Sequence, residues 1–142
     1  MKKRTLEFGC VNGVIWYVGD DGKLDKDEWQ SFLLFVRAIL LVSGEQPVLA
    51  WGVGYGTGPD ALQRRKLIDE FAAYDVRVAV NTDSIIARGV VKVFAWFKPN
   101  FRAFEIHDRS AASEYLQLST AVAYRVLKEM NDAEARMGKG LR

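Results

Sequence analysis

Cysteine and histidine are almost missing from this chain, which holds only Cys10 and His107. A single cysteine excludes an internal disulfide and a cysteine-based metal cluster. One histidine without cysteines or carboxylates gathered around it makes neither a metal site nor a catalytic triad. No metal and no cofactor is therefore expected. Long apolar runs are absent as well: the most apolar stretch, Phe32 to Val42, is interrupted by Arg37 and falls far short of the roughly 20 residues a membrane helix needs. Charge of one sign does not accumulate either. A net charge of +2 is too small for the clustered basic face that nucleic-acid binding requires, so no nucleic-acid partner is expected. The opening Met1-Lys2-Lys3-Arg4-Thr5 runs straight into an alternating segment with no apolar signal-peptide core. The expectation is a reducing, cytoplasmic setting. The basic ends, Lys2-Lys3-Arg4 and Lys139 to Arg142, read as solvated tails.

What is present is the material of one soluble domain: 142 residues, 49% hydrophobic and 27% charged, enough to bury a real core. Thr5 to Cys10 and Val14 to Val18 are strand-like, and Asn12-Gly13 between them signals a tight hairpin. In Val14-Ile15-Trp16-Tyr17-Val18 every side chain can lie against apolar surface, which suits a central strand. Asp25 is a good helix N-cap, with Glu28 three residues on as the carboxylate of a capping box. The cluster Asp20-Asp21, Asp25, Asp27, Glu28 does not have the spacing of a calcium loop and reads as a solvated turn and helix start.

The helix that follows carries Trp29, Phe32, Leu33, Val36, Ile39 and Leu40 on one stripe. Leu34, Phe35, Ala38, Leu41 and Val42 fall on the opposite side. A helix apolar nearly all round is normally covered on both sides. The second cover could come from the same chain, another subunit, a ligand or the C-terminal helix.

Val48-Leu49-Ala50-Trp51 reads as the innermost strand, since a short continuous apolar strand is usually covered on both faces. A glycine-rich turn, Gly52 to Gly58, leads from it to a helix beginning near Pro59. That helix turns Leu67, Ile68, Phe71 and Tyr74 to the core, with Arg64 on the edge of the face. Val76 to Val80 is another strand. Thr82-Asp83-Ser84 caps a third helix bearing Ile86, Val90, Val93, Phe94 and Phe97, which Lys98-Pro99-Asn100 ends. Phe101 to Ile106 alternates as an outer strand, and a last helix runs to at least Leu118 and on to about Met130, with Ser119-Thr120 able to break it in two. The order predicts an α/β fold: one mixed sheet of about five strands with a leading β-hairpin and about four helices, its later crossovers parallel and right-handed.

This order resembles the STAS domain group, and within it the bacterial SpoIIAA-like (STAS/SEC14-like) proteins. The residues that carry the likeness are Lys23 to Trp29 opening the first helix, Arg77 to Asp83 closing a strand, Trp96-Phe97 before Pro99, and Phe101 to Phe104. Asp108 and the helix with Ala111-Ala112 and Tyr115-Leu116 complete it. The likeness covers roughly Leu6 to Leu118, so that 1–142 reads as a single domain with its core at about 6–118 and a C-terminal helical extension at 119–142. It implies a noncatalytic regulatory module that binds protein partners or small apolar or anionic ligands. Anti-sigma-factor antagonists of the group are phosphorylated on a serine or threonine just after the third strand. Here Gly52 to Gly58 holds that place, with Thr57 its only hydroxyl besides the Tyr55 phenol. The Asp-Ser pair of the group is missing there, and Asp83-Ser84 comes one strand later.

Three candidate sites follow. Glycines ahead of a helix N-terminus can present backbone N–H groups to an anion, which marks Gly54, Gly56, Thr57, Gly58 and Arg64 as an anion- or partner-binding loop. The glycines are two apart throughout and no Gly-Lys-Ser/Thr follows, so the loop is neither a Rossmann nor a Walker A turn. The aromatic density around the first helix marks Trp29, Phe32, Leu34, Phe35 and Leu41 as an apolar pocket or interface. Finally, Leu116, Ala123, Met130 and Met137 stand seven apart with Val126 and Ala133 between, a short heptad seam. It either packs on its own domain or, with Leu34, Phe35 and Leu41, makes a homodimer.

Overall fold

Asn12 and Gly13 both take positive φ, 50° and 81°, the geometry of a tight two-residue hairpin turn. They join β1 (Leu6–Val11) to β2 (Val14–Gly19). The computed structural model describes residues 4–56, 58–97 and 100–139, and of 93–97 the backbone alone. After the hairpin come α1 (Lys26–Ser43), β3 (Val48–Gly54), α2 (Ala61–Phe71), β4 (Val76–Thr82), α3 (Ile85–Phe97), β5 (Phe101–Glu105), α4 (Arg109–Tyr115) and α5 (Thr120–Arg136). The strands form one sheet in the order β1-β2-β3-β4-β5, antiparallel at the hairpin and parallel thereafter. The α/β mixed sheet expected from the sequence is the one found, with β3 innermost. Trp51 sits opposite Trp16 on one side and Ala79 on the other.

Strand order explains the layers. Each parallel crossover steps to the next strand in the same direction, and right-handed crossovers then place every connecting helix on one face. Accordingly α1, α2 and α3 share one buried cluster with Ile15, Tyr17, Ala50 and Val78. The other face, with Val14, Trp16, Trp51 and Ala79, would stand bare without the last two helices. Ala112 and Leu116 at α4, and Val126, Met130 and Ala133 of α5, cover it. The heptad seam therefore packs on its own sheet, and the segment after Leu118 is a structural layer of the domain. Fully burying a leucine, valine or methionine of this layer contributes about 1.5–3 kcal/mol each.

The chain breaks between the last two helices. Gln117 takes φ 58°, and the Ser119 hydroxyl accepts the Val122 N–H to cap α5, so five helices stand among the described residues where about four were expected. Several local expectations also change. Asp25 caps α1 as anticipated, accepting from the Asp27 and Glu28 amides at 2.9 Å each. Glu28 does not close a capping box. Its Oε1 instead accepts the Thr5 N–H and hydroxyl, both at 2.7 Å, and the Leu6 N–H at 3.2 Å, tying α1 to the start of β1. Ile86 is 68% exposed, and Val91 takes the inward place on α3. Val93, Phe94, Trp96 and Phe97 have side chains outside the described residues, as do Lys98 and Pro99 altogether.

The two faces of α1 differ. Trp29, Phe32, Leu33, Val36 and Leu40 are buried, while Leu34, Leu41 and Val42 are 52%, 68% and 82% exposed. Within the described chain nothing supplies the second cover that an all-apolar helix normally has, and the C-terminal helix lies on the far side of the sheet. No helix among the described residues is long and apolar enough to cross a membrane.

Candidate functional site

A cavity opens at the C-terminal ends of β3 and β4, roofed by α2 and α3. Its volume is about 80 Å³, several times what one water molecule needs. Ala50, Val78 and Val80 make the floor with Tyr17; Leu67, Phe71 and Val91 line the roof. Gly54, Gly56, Gly58 and Arg64 stand at its rim, and Phe32 of α1 reaches one wall. The cavity thus joins the two sets of residues that the sequence kept apart: four of the loop set, and one of the five proposed around the first helix.

The remaining members of the second set lie elsewhere. Trp29 is core, its indole N–H donating to the Gln63 carbonyl at 3.0 Å. Phe35 packs on Phe8 with ring centroids 5.2 Å apart, and Leu34 and Leu41 face solvent. Tyr17, Val78, Val80 and Val91 were not marked as site residues by the sequence. In a strand buried on both faces, nothing local distinguishes the residue that faces a hollow from one that faces packed atoms.

Tyr17 reaches the floor because its strand neighbour is a glycine. The two are paired across β2 and β3, and the Tyr17 ring lies over Gly52, where a Cβ would collide with the ring carbons and the hydroxyl. Burial pushes the phenol up to about 12, so it is a neutral hydrogen-bond donor at physiological pH. Thr82, also at the wall, accepts the Ser84 N–H on its hydroxyl at 3.1 Å.

The glycine loop is shorter than the sequence suggests, since β3 runs through Gly54. Gly56 takes φ 75°, and a Cβ there would stand 2.6 Å from the Asp21 carbonyl oxygen, so a side chain is excluded twice over. Its amide donates to the Asp83 carboxylate at 2.9 Å. At the head of α2, Asp60 and Gln63 form a reciprocal capping box at 2.8 and 2.9 Å. Arg64 donates through Nη1 to the Pro59 carbonyl at 2.7 Å. Two carboxylates thus already occupy amides that an incoming anion would use. Thr57 lies outside the described residues.

A clasp holds the rim from the other side of the sheet. Tyr55 donates its hydroxyl to Glu134 of α5, and Arg109 reaches the same carboxylate at 3.0 Å. Glu134 is 2% exposed. Burial first, and then the Glu134 carboxylate, hold the Tyr55 phenol up at about 12. Lys139 bridges Asp20 at 3.1 Å and Asp21 at 3.0 Å and sits over the Tyr55 ring. The acidic turn expected to be solvated is therefore partly buried at Asp20, and Lys139 is not a solvated tail residue. His107 is exposed, as expected, and Cys10 is half-buried.

Comparison with protein-family models, with curated proteins and with solved structures gives no match for this chain.

Proposed function

We propose that the chain is a noncatalytic binding module of STAS-like type that holds a small apolar molecule in the cavity between the sheet and helices α2 and α3. The observation that carries this reading is the make-up of the wall: valine, leucine, phenylalanine and alanine side chains around about 80 Å³ of space between the sheet and its helices. Apolar hollows of this kind gain affinity from buried ligand surface, with a few polar groups to fix orientation. An anion is the less favoured cargo, because Asp83 and Asp60 already occupy the loop and helix-end amides. A cytoplasmic carrier or sensor fits this picture. Native mass spectrometry of freshly purified protein tests it. Extra small-molecule mass on the subunit supports the carrier, and a protein that stays bare after incubation with apolar compounds of many shapes counts against it.

A second reading, a regulator that works through a protein partner or a homodimer, draws on the exposed Leu34, Leu41 and Val42 along the outer face of α1. Sedimentation at micromolar concentration separates the two, since a strict monomer removes the homodimer.

A further inference from the structure

We propose that the cavity's ligand is an apolar molecule bearing one uncharged hydrogen-bond-accepting oxygen, a ketone, ester or ether, which the Tyr17 hydroxyl meets from the floor. This inference rests on the cavity reading above and specifies the class of cargo.

Polar side chains in the two core layers have partners. Trp51 donates to Asn81 at 2.8 Å, and Asn81 donates onward to the Glu105 and Asp108 carbonyls at 2.7 and 3.1 Å. Trp29 has the Gln63 carbonyl and Trp16 has Glu129. Among the described residues, no fully buried side-chain nitrogen or oxygen lacks a partner. Tyr17 differs: the residue is only 9% exposed, yet its hydroxyl bonds to no described residue and it lines the cavity. The hydroxyl is not among the fully buried atoms, so it reaches accessible space over Gly52, and the residue that carries it lines the hollow. A phenylalanine would close the same floor without leaving a donor to satisfy, and an unmet donor is costly.

The chemistry of the partner follows from the surroundings. A phenol held up at about 12 offers a proton and keeps it. A carboxylate brought to that floor would lose its hydration beside a single neutral donor, which is strongly unfavourable. A neutral carbonyl or ether oxygen loses far less and is satisfied by one donor. The apolar remainder of the molecule then lies along Val78, Val80 and Val91.

The test compares methyl pentyl ketone, heptane and heptanoate as probes against the full chain and its Tyr17→Phe variant, by calorimetry or amide NMR titration. The ketone is expected to bind the wild type most tightly and to lose roughly five- to tenfold in Tyr17→Phe, the worth of one hydrogen bond. Heptane should bind both forms equally. Ketone and heptane binding with no difference between the two proteins would overturn the role of Tyr17 and leave the cavity reading standing. Tighter binding of heptanoate than of the ketone would overturn the uncharged acceptor. Failure of every probe to bind either protein would remove both inferences. A measurement on the wild type alone guards against a variant that does not fold: the phenol absorption should move to longer wavelength with the ketone and stay fixed with heptane, and an unmoved band in ketone-saturated protein contradicts the proposal.

Discussion

Tyr17 and Gly52 face each other across β2 and β3, and the aromatic ring occupies the space that any side chain on Gly52 would need. The absence of a Cβ on one strand sets the position of a phenol on the next, and through it the floor of the cavity.

Gly52→Ala is expected to destabilise the protein by about 1–3 kcal/mol, the usual cost of overpacking a filled core. Tyr17→Phe should not relieve it, because the clash involves ring carbons as well as the hydroxyl. Tyr17→Leu in the same chain should recover part of the loss. Thermal unfolding of the three variants checks this, and a Gly52→Ala protein as stable as the wild type would show that the ring has other room.

The face opposite α1 depends on the last helix. Met130→Ala, at a fully buried site, should cost about 2–5 kcal/mol. A chain ending at Leu118 should lose cooperative unfolding, since Trp16, Trp51 and Ala79 would lose the α5 part of their cover. Circular dichroism and thermal melts decide, and a cooperative melt of the shortened chain would mean that 119–142 is dispensable.

Glu134 is buried with Arg109 on one side and Tyr55 on the other. Arg109→Ala should cost about 3–5 kcal/mol, because a buried carboxylate loses its charge partner. The double replacement Arg109→Met with Glu134→Leu should lie much nearer the wild type. Chemical denaturation of the single and double variants measures the coupling; additive losses would mean that the pair does not act as a unit.

The alkaline limb of stability should belong largely to two tyrosines. Burial raises Tyr17 from 10.0 to about 12, and burial together with Glu134 raises Tyr55 by a similar amount. A group whose folded pKa lies above its unfolded value stabilises fully below the unfolded pKa, and that contribution is lost as pH rises through the folded one. Stability should therefore fall between pH 10 and about 12, and less steeply in Tyr17→Phe and Tyr55→Phe. Phenolate absorbance followed together with unfolding tests this, and a flat stability profile across that window would contradict it.

The legible part of the fold was the part written in local chemistry. Asn12-Gly13 gives the hairpin because few other pairs take positive φ at both places, and the unbroken apolar run at Val48 to Trp51 marks the middle strand. Glu28 and Ile86 misled for one reason: capping and periodicity are local rules, and each was overridden by a distant partner or by the actual rotation of the helix. The cover of the second sheet face follows from right-handed crossovers once strand order is known, and order is not written in any single segment. The cavity was half legible. Its glycine rim announced itself as a turn, while its floor is spread over β2, β3 and β4, where Tyr17, Ala50, Val78 and Val80 look like other residues of largely buried strands.

The cavity itself is tested most directly by amide NMR titration of the full chain with an apolar probe such as methyl pentyl ketone, beside a Val90→Trp variant. Val90 lines the cavity from α3 next to Val91, so the substitution places a bulky ring at that wall. The expected result is saturable shifts centred on Gly54, Gly56, Val78 and Val91 in the wild type and their loss in the variant. Shifts that never saturate, that gather on Leu34 and Leu41 instead, or that persist unchanged in Val90→Trp would contradict it.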